Sequence, residues 1–280
     1  MSAPTPLQKL AHPAKVQNAL RRRLFKRRME MVPLERGWPL LHLGTAYGGW
    51  VVPDGVIGPD WVCYCVGTGT DISFDLGLID RYGATVVSFE PAPGSLEYVR
   101  EEAAGVDGFT FMPVGIGRRD GSVPMYLAED SDSIALSATN LQATETWVER
   151  PVRSLPSVMD ELGHERVDLL KLSLEGWEYE VVPYLDYGRM GVRVLAVELT
   201  HSRPARKALE LIELLRSCGF VPVHRKLTKM VFINEASVPR GAASSVAPTG
   251  QSAAPERLPS PAFHGPRRPD GPRRPPHRAR

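Results

Sequence analysis

Val167-Asp168-Leu169-Leu170-Lys171-Leu172-Ser173-Leu174-Glu175-Gly176 is the stretch on which the fold turns. Its apolar run is short, unbroken by helical spacing, and ends on an acid and a glycine. A run of that kind reads as a strand buried on both faces, as in a parallel sheet. Alternation puts Val167, Leu169, Lys171 and Ser173 on one face. A lysine inside such a strand is costly unless something partners it. Two readings follow: a structural ion pair with Glu198 on a neighbouring strand, or a group that serves a site.

Similar runs lie on either side. Residues 61–66 end at Gly67-Thr68-Gly69, residues 85–89 at Glu90-Pro91, and residues 192–197 at Glu198; residues 109–114 form another run. Helical patterns separate them. The first covers residues 72–82, with Asp71 as N-cap and Gly83 as stop. Others cover 95–104 and 177–185. The clearest is 205–217, where Lys207, Glu210, Glu213 and Arg216 line one side and Ala208, Leu211, Ile212 and Leu215 the other. Gly219 is its expected C-cap. Residues 220–225 and 229–234 read as an antiparallel hairpin. From 115 to 160 the pattern weakens, leaving a strand near 148–152 and the place for an insertion or substrate lid. The sum is an α/β domain of five parallel strands with a closing antiparallel hairpin.

The chain has 280 residues, 42% hydrophobic and 24% charged, enough for a real core. No stretch approaches the roughly 20 apolar residues of a membrane helix. A basic run at residues 21–28 stands where a secretory signal would need its apolar core. Cys63, Cys65 and Cys218 make no even disulfide framework. The expectation is a cytoplasmic protein. Charge is partitioned. Residues 1–60 carry nine Lys or Arg against four Asp or Glu, residues 236–280 eight against two, and the middle seventeen against twenty-six. An acidic core argues against nucleic-acid binding by that core. Three segments are expected: a basic helical or lid extension (1–60), the α/β domain (61–235) and a disordered Pro/Arg-rich tail (236–280).

In open parallel sheets ligands bind beyond the carboxyl ends of the strands. Four ends converge here. The Gly67-Thr68-Gly69 turn admits close approach of a ligand to backbone. Glu90 can accept both hydroxyls of a ribose, a demand shared by NAD and S-adenosylmethionine. The next strand gives Lys171, Ser173 and Glu175, and the last gives Glu198 and then His201, the histidine placed for general-base work. A dinucleotide fingerprint would want a glycine at 72, where Ile72 stands, which disfavours NAD. Cys63 and Cys65 read as small buried hydrophobes. No zinc spacing occurs and no metal is expected.

Three blocks resemble the FkbM-type S-adenosylmethionine-dependent methyltransferases. They are residues 63–75 around Gly67-Thr68-Gly69-Thr70-Asp71, residues 87–93 around Phe89-Glu90-Pro91, and residues 167–178 with Lys171, Glu175, Gly176 and Glu178. The resemblance covers about 61–234 and implies a class I methyltransferase, Rossmann-like sheet, for which the closing hairpin is the fold-level analogue. It further implies S-adenosyl-L-methionine as cofactor. Gly67 and Gly69 would border its methionine part, Glu90 its ribose, and Gly115-Ile116 its adenine. Lys171, Glu175 and Glu198 would lie near the transferred methyl. The sequence departs from the family at Cys65 and Ser173, where many members have aspartate; Asp71 and Glu175 are the expected substitutes. The family mostly methylates hydroxyls of secondary metabolites or sugars, so the resemblance implies O-methylation of a small-molecule hydroxyl, with Glu175 and then His201 as base. The alternatives are an inactive binding protein of the same fold and, behind it, an NAD-dependent oxidoreductase.

Overall fold

The computed structural model describes residues 13–127, 136–140 and 144–238, with side chains from residue 20 onward. The expected tail beyond 238 lies outside the described residues, as does Ser131-Asp132-Ser133.

The chain opens with helix α1 (Pro13–Glu30) and a two-stranded antiparallel ribbon, β1 (Leu40–Leu43) with β2 (Trp50–Pro53). Then come β3 (Val62–Val66), α2 (Ser73–Tyr82), β4 (Thr85–Phe89), α3 (Gly94–Glu102) and β5 (Phe109–Met112). A second sheet follows from β6 (Gly115–Ile116), β7 (Gly121–Leu127), β8 (Leu136–Ser137) and β9 (Trp147–Arg153), in the order β6-β9-β7-β8. The weak pattern over 115–160 is therefore an inserted sheet: two of its strands have only two residues, and the seven-residue β7 and β9 are partly exposed, so the apolar signal is slight. Next are α4 (Leu155–Leu162), β10 (Leu169–Leu172), α5 (Glu178–Val181), α6 (Tyr187–Met190), β11 (Val194–Glu198), α7 (Ala205–Ser217), β12 (Phe220–Lys226) and β13 (Lys229–Asn234).

The main sheet has seven strands in the order β12-β13-β11-β10-β3-β4-β5. Strands β11, β10, β3, β4 and β5 run parallel, and β13 lies antiparallel to both β11 and β12. This is the Rossmann-like sheet with a closing hairpin expected from the sequence. Alternation divides the strands between two cores. Tyr64, Val66, Leu170, Leu172, Leu195 and Val197 pack on one face with Phe25 and Met29 of α1 and the apolar side of α7. Cys63, Cys65, Leu169, Val194 and Ala196 pack on the other with Trp50, Val52 and α2. Both cysteines are free and fully buried.

Three local expectations change. The N-cap position of α2 is Ile72, not Asp71, whose carboxylate is taken up by a loop. The helix expected over 177–185 breaks into α5 and a 3-10 turn, Val182–Tyr184, because Pro183 has no N–H to continue it. Helix α7 closes on Cys218, and Gly219 takes the left-handed conformation one residue later (φ +87°).

Asp168 sits at the far end of β10 from the strand-end rim. It is fully buried and held by the Val62 N–H and by Arg166 and Arg193. Its acid is a sheet clamp.

Candidate active site

Lys171 is 5% exposed and does not pair with Glu198. Its ammonium donates to the carbonyls of Val66 (3.0 Å) and Gly67 (2.7 Å), where β3 ends. The register explains this. Lys171 lies beside Cys65, so its long side chain reaches the last carbonyls of β3. Glu198 instead accepts from Ser173 Oγ (2.8 Å) and Thr228 Oγ1 (2.9 Å).

The two glycines of the turn answer different needs. At Gly67 (φ +75°) a Cβ would lie 1.9 Å from the Ser173 carbonyl oxygen, so a neighbouring strand demands the glycine. At Gly69 (φ +60°) a Cβ would meet nothing within 4 Å. That glycine borders open space. Its N–H donates to Glu90 Oε2 (2.9 Å), and the Ala92 N–H donates to Oε1 (2.9 Å). The turn and the acid of the next strand thus form one unit. Glu90 is 8% exposed. Burial pushes its carboxyl up, and the two N–H groups and Lys171 counter that. Each oxygen keeps a lone pair for another donor.

Asp71 stands just past the turn but faces the ribbon. Thr45 Oγ1 (2.5 Å) and the Gly48 N–H (3.0 Å) bind one oxygen, and the Ser73 N–H (3.0 Å) binds the other. Burial raises its pKa, but these bonds outweigh it and hold the acid below the ordinary aspartate value. At the other end of the same loop, Lys229 donates to the carbonyls of Tyr47 (3.1 Å) and Gly49 (3.2 Å). Its ammonium lies 4.7 Å from the Trp50 ring centroid, and that of Lys171 lies 6.0 Å away. The loop between β1 and β2 is therefore pinned across the rim, from the glycine turn to β13. Beneath it a cavity of about 200 Å³ is lined by His42, Tyr47, Trp50, Glu198, Thr228 and Lys229, among others.

Glu175 has positive φ (48°), a strained conformation for a residue with a side chain. Ser137 Oγ binds its carbonyl (2.6 Å). Its side chain reaches solvent. Even so, low-dielectric surroundings push its pKa up, the like charges of Glu198 and Glu90 add to this, and Lys171 opposes them. Glu175, Glu90, Glu198 and Lys171 therefore share one electrostatic neighbourhood. His201 belongs to another: it is half-buried, and its pKa is lowered by burial and by Arg22 and Arg21 of α1. Ile116 is 1% exposed and packed in the core with Leu155 and Val158, so its side chain is committed to packing.

Two acids of this region were not singled out as site residues from the sequence. Glu178 takes the N–H groups of Gly176 (2.8 Å) and Thr200 (2.6 Å) and the Thr200 hydroxyl (2.6 Å). It ties the turn after β10 to the turn after β11, and burial pushes its pKa up to about 6. Asp75 lies on the buried face of α2 beside Phe74, with Oδ1 unpartnered. Burial pushes its pKa up to about 6, against Lys171 and Ser88. An acid on the apolar side of a helical pattern was the available signal.

Among known protein families, residues 65–222 match the methyltransferase FkbM domain. Among solved structures, a crystal structure of the methyltransferase FkbM from Methylobacillus flagellatus KT is similar at 14% identity, with a TM-score of 0.44, over 63% of this chain and 44% of that one. This chain thus spans less than half of that protein. The Methanococcus jannaschii fibrillarin pre-rRNA processing protein is similar at 14% identity, with a TM-score of 0.39, over 64% of this chain and 69% of that one. No curated protein matches the chain.

Proposed function

The chain belongs to the FkbM methyltransferase domain family, and on that premise we propose that it transfers a methyl group from S-adenosyl-L-methionine to a hydroxyl of a small molecule. The observation that carries the reading is the joined edge of the rim, where the Gly69 N–H donates to Glu90 Oε2 at 2.9 Å beside open space. The residues fit the cofactor. Glu90 keeps free lone pairs for the two ribose hydroxyls, Gly69 leaves the methionine part unobstructed, and Lys171 fixes the turn by its last two carbonyls. Ile116 would contribute through its backbone beside the adenine.

Bound there, S-adenosyl-L-methionine supplies a methyl group on a sulfonium, already a good leaving group. The chain's task is to align the acceptor, exclude water and take a proton. We assign the acceptor to the rim beside Glu175, Glu198 and Lys171, where the cavity beneath the β1–β2 loop adjoins it through Glu198, which makes the ribbon a wall of the site. Glu175 takes the hydroxyl proton as the new carbon–oxygen bond forms. Its raised pKa suits that role, because a base works best when its pKa approaches the working pH. Ser173 stands where many relatives have aspartate. It donates to Glu198, so the neighbouring strand keeps a carboxylate at this place. That favours an active enzyme over an inactive binding protein.

Thermal melting with S-adenosyl-L-methionine and with NAD tests the assignment. Ligand at about 100 times its Kd should add about 2.7 kcal/mol of stability. A shift with NAD, or with neither compound, would overturn it.

A further inference from the structure

Helix α1 has two apolar stripes on opposite sides. Phe25 (2% exposed) and Met29 (0%) face the domain, with Val32 (7%) just beyond. The Arg225 guanidinium caps this end by binding the carbonyls of Met29 (2.7 Å) and Val32 (2.9 Å). At the other end, Arg21 binds the Ser202 carbonyl (3.2 Å). The helix is fixed to the body along that side. The second stripe is uncovered: Leu20 is 57% exposed and Leu24 52%, and Met31, just past the helix, is 72% exposed.

At about 100° per residue Leu20 and Leu24 fall about 40° apart, nearly opposite Met29, and Met31 lies exposed one residue past the helix's end. Arg23 and Arg27 flank the stripe on one side and Arg28 and Arg21 on the other. Arg23, Arg27 and Arg28 are exposed and have no carboxylate in salt-bridge range among the described residues. Residues 20–31 carry six Lys or Arg against Glu30 alone.

We propose that this outer face of α1 docks on an anionic lipid bilayer. The stripe would sink to the level of the acyl boundary, and the flanking arginines would stay among the headgroup phosphates. Charge complementarity fixes the orientation. Residues 61–235 are acidic, seventeen Lys or Arg against twenty-six Asp or Glu, and an anionic surface repels them. The exposed stripe favours a bilayer over a polynucleotide. It is aliphatic, so it gives bases no aromatic surface to stack on, and it gains nothing from a phosphate backbone. No described helix is long and apolar enough to cross a membrane, so the contact is interfacial.

Flotation of the full chain with vesicles tests this. With phosphatidylcholine containing about one-third phosphatidylglycerol the chain should float, and with pure phosphatidylcholine it should not. Arg27→Glu/Arg28→Glu should weaken partitioning at least about 10-fold, and Arg27→Lys/Arg28→Lys should restore most of it. Leu20→Ser/Leu24→Ser should weaken it about 10-fold and leave a remainder that high salt abolishes. All these side chains are exposed, so melting temperatures should stay with the parent's, and the tail is intact in every variant. Failure of the parent to float, or equal binding to neutral vesicles, would overturn the proposal. So would tighter binding to a polyuridylate with no effect of the leucine pair, which would assign the face to a polynucleotide.

Discussion

At the β3–β4 half of the rim, Glu90 and Asp71 are met by backbone N–H groups and hydroxyls: Gly69 and Ala92 for one, Gly48, Ser73 and Thr45 for the other. At the β10–β11 half, Glu175 has Glu198 and Glu90 as like-charged neighbours and only Lys171 opposing them. Fixed donors hold an acid in one geometry, which suits binding; they keep Asp71 below the ordinary aspartate value and oppose the burial that raises Glu90. Low-dielectric surroundings, and then the crowded acids, lift the Glu175 pKa, which suits proton transfer. One rim thus divides into a holding side and a reacting side, with Lys171 joined to both.

The largest effect should come where the halves meet. Gly67→Ala puts a methyl against the Ser173 carbonyl at a left-handed φ. Backbone strain and the displaced strand together should cost about 3 kcal/mol or more, on the order of 10 °C in Tm. Gly69→Ala meets no neighbour and should cost only about 1 kcal/mol of stability, while cofactor affinity falls because its methyl enters the proposed binding space. Calorimetric scans and titrations separate the two. Equal losses of stability would erase the difference between the glycines. Next comes Glu90→Ala, which removes a buried acceptor and should weaken S-adenosyl-L-methionine by about 100-fold. Affinity within about threefold of the parent by isothermal titration would remove Glu90 from the holding side.

The sequence reaches this division unevenly. The five parallel strands, the hairpin and the meeting of the glycine turn and Glu90 at one rim were legible because buried parallel strands write continuous apolar runs and their ends carry the polar residues. The inserted sheet was not, because its two long strands are half-exposed with one buried residue each and the periodicity is faint. Lys171 could be marked as needing a partner but not matched to one. Carbonyl acceptors leave no trace in side-chain identity, so the ion pair with Glu198 was the visible choice. The roles of Thr45, Trp50 and Lys229 depend on a ribbon folded back from an N-terminal segment of low signal, whose partners lie far along the chain. His201 looked equivalent to Glu175 by its distance from a strand end. Only packing shows that it faces the arginines of α1.

Glu175→Gln should act on the reacting side alone. Loss of a general base costs about 100-fold or more in kcat, and the Kd for cofactor should stay within about twofold, since Gln keeps shape without charge. The pH profile sharpens the assignment. A base must be ionised, so kcat rises with pH through its pKa, and the raised pKa of Glu175 puts that limb above the ordinary glutamate value of 4.5. The variant should lose this limb. A limb that survives the substitution and belongs to a histidine whose pKa lies below 6.5 would transfer the role to His201.

The smallest effect tests whether the ribbon belongs to the holding side. Thr45→Val removes one hydroxyl donor from Asp71 while the Gly48 and Ser73 donors remain. A single bond of this kind is worth about 1 kcal/mol, so the β1–β2 loop should exchange its amide hydrogens about fivefold faster. The acceptor KM should rise by a similar factor, and cofactor affinity should not change. Asp71 gives an independent sign. Its folded pKa lies below 3.8, so the stability it contributes is present above that value and is lost as pH falls through the folded pKa. With one donor gone the folded pKa moves back toward 3.8. The gap between folded and unfolded values narrows, and less of the stability at neutral pH depends on this acid. Acid titrations of stability should therefore be slightly flatter for Thr45→Val than for the parent. An unchanged acid limb together with an unchanged KM would mean that the loop holds its place through Lys229 alone, and the ribbon would then be anchored by the hairpin rather than by the glycine turn.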